Sequence, residues 1–221
     1  MRSMRPRVKI CCISSPEEAA VAVRYGADAL GLVSEMPSGP GVISDEQARN
    51  IALQVPPTIA SFLLTSRQSA SAIIEQQRYV RASTLQIVDR LTHGTYQDLR
   101  NALPGIRLVQ VIHVQGEESI EEALKVASEV DALLLDSGNQ HLAVKVLGGT
   151  GRPHDWSISA RIVERVNKPV FLAGGLNEEN VGEAVEKVRP FGLDVCSGVR
   201  TNNRLDEFKV AAFVQQLGRL V

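Results

Sequence analysis

Short apolar runs alternate with polar, helix-periodic segments along the chain. The runs are four to six residues long, continuous, and rich in Val, Ile and Leu. Continuous runs of this length are typical of parallel strands that are buried on both faces. The sequence therefore predicts eight strands, at 8–12, 29–33, 59–64, 84–88, 108–113, 132–135, 170–173 and 193–196.

Capping signals mark the start of a helix after several of these runs. Ser15-Pro16-Glu17-Glu18 predicts a capping box with proline at the first helical position. Three further boxes have Gln, Asp or Glu three residues after the cap, and one helix opens with an asparagine followed by acids. The predicted caps are Ser15, Ser44, Thr95, Ser119 and Asn177.

Eight strands alternating with helices, about 28 residues per unit, predict an α/β protein with a single (β/α)₈ TIM-barrel domain over residues 1–221. The alternative is an open, doubly wound sheet, which normally carries a glycine-rich fingerprint after its first strand. Here the first strand ends in Cys11-Cys12-Ile13-Ser14, which contains no glycine. The barrel is therefore the favoured fold.

Composition and charge narrow the class of protein. Hydrophobic residues make up 44% of the chain and charged residues 22%, values of a globular rather than a disordered protein. A formal net charge of −1 gives no general attraction to nucleic acid or to an anionic membrane. No apolar run approaches the roughly 20 residues of a spanning helix, and we expect no signal peptide. These features predict a cytoplasmic protein without nucleic-acid or membrane partners.

The three cysteines, Cys11, Cys12 and Cys196, form no recognisable framework. An odd count with two adjacent residues argues against a set of disulfides. The sequence has no CxxC motif or spaced Cys/His set, and no histidine has a metal-ligand partner at helical spacing. We therefore expect reduced cysteines and no metal.

Active residues of a barrel lie at the carboxyl ends of its strands, which makes Cys11 and Asp136 candidates for an acid–base pair. Lys9 shares one face of the first strand with Cys11, about 6.6 Å along it, and an ammonium favours the thiolate. Asp136 can donate a proton if burial raises its pKa. The alternatives are a buried apolar Cys11 and an Asp136 that caps a helix or lies on the surface. Cys12 is expected to point away from the interior and to pack.

Glycines follow the last two strands, as Gly174-Gly175 and Ser197-Gly198. Glycine lets the backbone approach a ligand, and exposed N–H groups at a helix start attract an anion. Phosphate sites after the seventh and eighth strands recur in this fold. A tight turn is the alternative reading of Gly174-Gly175, but the second glycine site favours a phosphate cradle.

Several longer segments carry a resemblance to a known family. They are Val8-Lys9-Ile10-Cys11, the segment at 26–31, Leu133-Leu134-Leu135-Asp136-Ser137, the segment at 148–151 with Asp155-Trp156, and those at 173–177 and 194–199. On these motifs the chain resembles the phosphoribosylanthranilate isomerase family of tryptophan biosynthesis. The motifs span almost the whole chain, and together they are highly specific.

The resemblance implies a barrel enzyme, an intramolecular oxidoreductase of the aldose–ketose isomerase type, which uses no metal or cofactor. It implies that Cys11 is the general base and Asp136 the general acid of an Amadori rearrangement. It also implies a small phosphorylated substrate and a monomer or homodimer. The implied phosphate-binding residues are Gly149, Gly151, Gly174, Gly175, Ser197 and Gly198.

The chain departs from the family's pattern around the substrate's carboxylate. Gly41 stands where the family has an arginine that pairs with that carboxylate, Cys12 replaces a glycine, and Arg200 replaces a glutamate. Arg152 or Arg200 can take over as the clamp. Two other functions stay open: a paralogous isomerase for a different phosphorylated sugar amine, or a catalytically silent barrel that binds a phosphorylated ligand. The Gly- and Pro-rich loop at 34–43 suits a mobile lid.

Overall fold

The computed structural model of the chain describes residues 5–138 and 154–218. Eight parallel strands close into a barrel in sequence order, because the eighth strand pairs with the first. The strands are β1 (Arg7–Ile10), β2 (Ala29–Val33), β3 (Ala60–Thr65), β4 (Thr84–Ile87), β5 (Arg107–His113), β6 (Ala132–Asp136), β7 (Val170–Leu172) and β8 (Gly192–Val195).

Helices separate successive strands and surround the barrel. They are α1 (Pro16–Arg24), α2 (Asp45–Ala52), α3 (Ala70–Val80), α4 (Tyr96–Ala102), α5 (Glu118–Ala127), α6 (Trp156–Arg165), α7 (Val181–Val188) and α8 (Glu207–Gly218). A 3₁₀ turn, Ser197–Val199, and a short hairpin, β9 (Arg200–Thr201) with β10 (Arg204–Leu205), precede α8. The predicted (β/α)₈ barrel is confirmed, and the doubly wound sheet is wrong.

The core has two layers, and these explain the continuous apolar runs. Leu30 and Leu63 belong to the layer between the strands and the helices. Phe62 and Phe171 belong to the layer inside the barrel, where their rings meet edge to face at 5.8 Å. Because successive side chains of a strand point to opposite layers, most strand positions are buried and apolar. Each observed strand accordingly lies within two residues of its predicted bounds.

Two of the predicted capping boxes are complete. Ser44 and Thr95 each accept a hydrogen bond from the third residue of their helix, whose side chain accepts one in return from the cap's N–H. Ser15 caps α1 by accepting from the Glu18 N–H, but the Glu18 side chain accepts from the Ser14 N–H instead. The predicted capping box at Ser15 is therefore wrong in its return hydrogen bond, because Glu18 does not accept from the Ser15 N–H.

The other two predicted caps are wrong by a few residues. Ser119 lies inside α5, and its hydroxyl accepts from the Gln115 N–H. The Asn177 side chain accepts from the N–H groups of Glu179 and Asn180, so it opens a turn, and α7 begins only at Val181. Both polar side chains bind local backbone donors as expected, but outside the cap position.

The extent of a single domain over residues 1–221 stays a prediction, because residues 1–4, 139–153 and 219–221 lie outside the described part. Within residues 5–138 and 154–218, no helix has the length and apolar character to cross a membrane.

Candidate active site

A cavity opens at the carboxyl ends of the strands, where the barrel predicts the active residues. The predicted site residues in its lining are Cys11, Asp136, Gly174, Gly175 and Ser197. Gly198 packs against the backbone of Leu176, another lining residue. Gly149, Gly151 and Arg152 fall outside the described residues. Four residues of the loop at 34–43 also line the cavity: Met36, Ser38, Gly39 and Pro40. The chain thus brings the predicted acid and base into one cavity partly enclosed by a loop.

Cys11 follows β1 and stands beside a buried ion pair. Its N–H donates to the carbonyl of Val195 at 2.8 Å, which extends the seam between β1 and β8. Lys9 is fully buried, and its Nζ donates to Oδ1 of Asp194 at 2.8 Å. Burial lowers the pKa of Lys9, but Asp194 and Cys11 raise it by more, so the side chain is an ammonium.

Burial raises the pKa of the Cys11 thiol to about 11. Lys9 lowers the pKa, as its spacing predicted, while the Asp194 carboxylate raises it. Since Asp194 takes the ammonium's hydrogen bond, the cation cannot offset the desolvation of a thiolate. Cys11 therefore rests as the thiol: Lys9 favours the thiolate, as expected, but burial and Asp194 together oppose it by more.

Asp194 and Gln86 are cavity residues that the sequence analysis missed. Both line the cavity and both are buried, and Oε1 of Gln86 has no hydrogen-bond partner. A polar residue inside a continuous apolar strand was the available signal, because such a residue rarely enters a core without a partner or a function. Their position adds hydrogen-bonding groups to the cavity floor.

Replacing Lys9 by Met is expected to destabilise the fold by about 3 kcal/mol, because Asp194 is left buried without its counter-ion. Burial raises the pKa of Asp194 even beside Lys9, so in the variant its folded-state pKa lies further above the unfolded value. A carboxyl group whose pKa is raised in the folded state makes the fold less stable as the pH rises. The stability deficit of the Lys9→Met variant should therefore grow between about pH 4 and pH 7. Urea unfolding at both pH values measures it.

The matched control is the double variant Lys9→Met with Asp194→Leu. Replacing a buried pair by apolar residues is often neutral, so the double variant should recover most of the lost stability. An equal deficit in both variants, independent of pH, would contradict the ion pair.

Asp136 ends β6 at the cavity wall. Its Oδ1 accepts from the N–H of Ser137 at 2.7 Å, which fixes the carboxyl group's orientation. His154 lies near enough for Asp136 to raise its pKa, but burial lowers that pKa by more, so the imidazole is neutral. Asp136 therefore gains no cationic partner from this histidine, and its residue lines the cavity.

The turns after β7 and β8 pack directly on each other. Gly174 and Gly175 have φ values of +87° and +67°, a conformation that glycine adopts without strain. At Gly198 a Cβ would lie 2.0 Å from the carbonyl oxygen of Leu176, so only glycine fits there. The two strand ends thus form one glycine-lined surface, as the phosphate cradle requires.

Gly198→Ala is expected to lower the unfolding free energy by about 1–3 kcal/mol, because the methyl group pushes against the backbone. It should also weaken the binding of inorganic phosphate, measured by calorimetric titration. Gly182→Ala is the matched control, since a Cβ there meets nothing within 4 Å inside α7. That change should be neutral or stabilise by up to about 1 kcal/mol. Wild-type phosphate affinity in Gly198→Ala would count against the cradle.

Arg200 is committed to groups outside the cavity. Its guanidinium binds both carboxylate oxygens of Glu18, at 3.1 and 3.0 Å, and donates to the carbonyls of Cys11 and Cys12. Burial raises the pKa of Glu18, but Arg200 and two backbone N–H groups lower it by more, so the pair is charged. This geometry argues against Arg200 as the carboxylate clamp, and makes it a positioning residue for the Cys11–Cys12 backbone.

Arg200→Ala is expected to lower kcat about tenfold by releasing the Cys11 backbone, while KM changes less than about threefold. If Arg200 were the carboxylate clamp, its loss would instead raise KM for N-(5'-phosphoribosyl)anthranilate and leave KM unchanged for the N-(5'-phosphoribosyl)aniline analogue, which lacks the carboxylate. The matched control, Arg165→Ala, removes an exposed pair with Glu121 and should change neither constant.

Cys12 and Cys196 form a disulfide, with their Cα atoms 6.0 Å apart. The expectations of reduced cysteines and of an outward-pointing Cys12 are therefore wrong. Cys12 has a φ of +63°, so the side-chain alternation of β1 does not continue through it, and its side chain turns to the cavity rim. Gly41 packs on it, because a Cβ at Gly41 would lie 2.4 Å from the Cys12 Cβ. Position 41 consequently has no room for an arginine.

Among the described residues, no group of three or more His, Cys, Asp or Glu side chains is arranged to hold a metal ion. The chemistry that the cavity offers is a thiol, a carboxyl group and a glycine-lined anion surface on adjacent strand ends.

The fold and the site agree with comparisons to known proteins. The family model described as N-(5'phosphoribosyl)anthranilate (PRA) isomerase matches residues 8–216. The chain belongs to the phosphoribosylanthranilate isomerase family. A family member from Methanocella arvoryzae is 35% identical over 96% of this chain and 97% of its own length. Isomerase 2 of Methanosarcina mazei is 38% identical over 95% and 93% of the two chains.

Solved phosphoribosylanthranilate isomerases share the architecture. The Thermotoga maritima enzyme has a TM-score of 0.80 and 30% identity, over 97% of this chain and 99% of its own. Another isomerase structure, with a TM-score of 0.78 and 29% identity over the same shares, holds reduced 1-(o-carboxyphenylamino)-1-deoxyribulose 5-phosphate. Family membership assigns the chain to the isomerases of tryptophan biosynthesis.

Proposed function

We propose that the chain converts N-(5'-phosphoribosyl)anthranilate to 1-(o-carboxyphenylamino)-1-deoxyribulose 5-phosphate, with Cys11 as general base and Asp136 as general acid. The observation that carries the proposal is the placement of both side chains in one cavity beside the glycine-lined turns. A structural relative of the same family binds the reduced form of this product. The substrate's phosphate would lie on Gly174, Gly175, Ser197 and Gly198, together with Gly149 and Gly151.

Asp136 acts first, by donating a proton to the ring oxygen of the ribose. The C1–O bond then breaks, and the nitrogen lone pair forms a Schiff base that carries a positive charge. The hydrogen bond from the Ser137 N–H holds the carboxyl group in one orientation at the cavity wall. A fixed donor within reach of the leaving oxygen is the geometry that general acid catalysis requires.

Cys11 then removes the proton from C2, and the resulting enolamine tautomerises to the ketone. Its pKa of about 11 keeps the resting thiol protonated. The cationic Schiff base is the charge that favours the thiolate, since an opposite charge within about 4–6 Å stabilises the charged form. Once the open substrate has formed, the thiol therefore releases its proton to solvent through the cavity, and the resulting thiolate takes the proton from C2.

The rearrangement is an internal exchange of oxidation level. C2 is oxidised from an alcohol to a ketone while C1 is reduced from the aldehyde level to an amine-bearing methylene group. The electrons balance within the substrate, so the proposed reaction is an intramolecular oxidoreduction that uses no cofactor. We further propose a cytoplasmic enzyme, either a monomer or a homodimer, with Arg152 as the remaining candidate for the carboxylate clamp.

Turnover of freshly generated N-(5'-phosphoribosyl)anthranilate, followed by the change in anthranilate fluorescence, tests the proposal. Turnover that Cys11→Ser and Asp136→Asn both abolish supports it. A folded protein that binds inorganic phosphate without turnover would overturn it and favour a different phosphorylated sugar amine. The observation behind this second candidate is Gly41, whose contact with Cys12 excludes the family's arginine.

A further inference from the structure

The Cys12–Cys196 bond joins two strand ends that each carry a site residue. Cys12 immediately follows the candidate base, Cys11, and Cys196 immediately precedes the candidate phosphate residue, Ser197. Both cysteines line the cavity. The bond therefore fixes the position of Cys11, at the end of β1, relative to the glycine-lined turn at Ser197, after β8.

The barrel does not depend on this bond for closure. β1 and β8 already pair through four registered residues, from Arg7 with Gly192 to Ile10 with Val195. The Cys11 N–H extends the pairing to Val195. Breaking the disulfide therefore leaves the barrel closed and frees only the rim beyond the ladder, where Cys12 holds a left-handed backbone that strains a non-glycine residue.

The bond is also open to attack from the cavity. Cys12 is buried, with 4% exposure, whereas Cys196 is partly exposed. Cys11 is the one remaining free cysteine and is itself buried. Of the two bonded cysteines, Cys196 is therefore the one that we expect an external thiolate to attack, and a ligand in the cavity that both cysteines line should slow this attack.

We propose that Cys12–Cys196 is a redox-sensitive clasp whose reduction by a dithiol weakens phosphate binding at the candidate site. A thiolate of the dithiol attacks Cys196 Sγ, and the electron pair of the S–S bond leaves on Cys12 Sγ, which takes up a proton. The second thiol then closes the reductant's own disulfide and releases Cys196 as a thiol. The protein gains two electrons and two protons, and the dithiol loses them. The assignment of this anion surface to a substrate's phosphate rests on the proposed function, whereas the thiol chemistry and the binding of inorganic phosphate do not.

The first test treats the native protein with or without dithiothreitol, removes the reductant, and then counts thiols by alkylation in denaturant. One alkylated cysteine before and three after are expected, with 50 mM phosphate slowing the change. The variant Cys11→Ser should show none before and two after. Three thiols without reductant, or a single thiol that persists in excess dithiothreitol, would overturn the proposal.

The second test titrates inorganic phosphate by calorimetry into the oxidised and the reduced protein. Reduction should weaken binding about threefold to tenfold, because the turn at Ser197 loses its preorganisation. The double variant Cys12→Ser with Cys196→Ser should bind phosphate with the affinity of the reduced protein, and the reductant should not change that affinity. Equal affinities in all three forms would overturn the clasp. A failed isomerase assay alongside this phosphate shift would overturn the proposed activity and leave the clasp standing.

Discussion

Cys11→Ser is expected to lower kcat by about 10²–10⁴-fold, the usual contribution of a positioned general base. A serine hydroxyl occupies nearly the same volume as the thiol but is a much weaker acid, so it cannot supply a comparable anion to remove the C2 proton. Binding of the reduced product analogue should change by less than about threefold, because the phosphate surface is intact. Steady-state kinetics and calorimetric titration measure the two effects.

The pH dependence of Cys11 alkylation provides the control for this assignment. Burial raises the Cys11 pKa to about 11. The thiolate is the reacting form, so the iodoacetamide rate should rise about tenfold per pH unit between pH 7 and pH 10. Because Cys12 and Cys196 are bonded, the signal reports on Cys11. A plateau below pH 8 would contradict the raised pKa of Cys11, whereas more than a tenth of the wild-type kcat in Cys11→Ser would contradict the proposed base.

The barrel could be predicted because its two core layers require a simple pattern of apolar residues in the sequence. Burial of both strand faces produces the continuous runs, and a closed ring of parallel strands gathers their carboxyl ends at one rim. Cys11 and Asp136 were therefore predicted to lie at this rim from their positions alone. The caps were less predictable, because Ser119 and Asn177 bind backbone donors of turns rather than of helix ends.

The details of the rim depend on contacts between residues that are far apart in the chain. The Arg200–Glu18 pair spans 182 residues, and the disulfide spans 184. The prediction that Cys12 points outward assumed that the side-chain alternation of β1 continues through this residue, but the positive φ of Cys12 ends the alternation there. The steric exclusion at Gly41 likewise depends on this turn. Local periodicity carries no information about any of these four features.

Asp136→Asn is expected to lower kcat about as strongly as loss of the base, by roughly 10²–10⁴-fold. An amide matches the carboxyl group in size and can still accept the Ser137 N–H hydrogen bond through its oxygen, so the fold should be unaffected. It cannot, however, donate an acidic proton to the ring oxygen. Ring opening therefore becomes the slow step in this variant, while proton removal from C2 becomes slow in Cys11→Ser.

Substrate deuterated at C2 of the ribose separates these two roles. The C2–H bond breaks only in the step assigned to Cys11, so Cys11→Ser should show a larger primary isotope effect on kcat than the wild type. Asp136→Asn should show a smaller one, because ring opening precedes that step and masks it. Matched thermal unfolding of both variants excludes a loss of fold as the cause. An isotope effect that increases in Asp136→Asn would mean that Asp136, and not Cys11, takes the C2 proton.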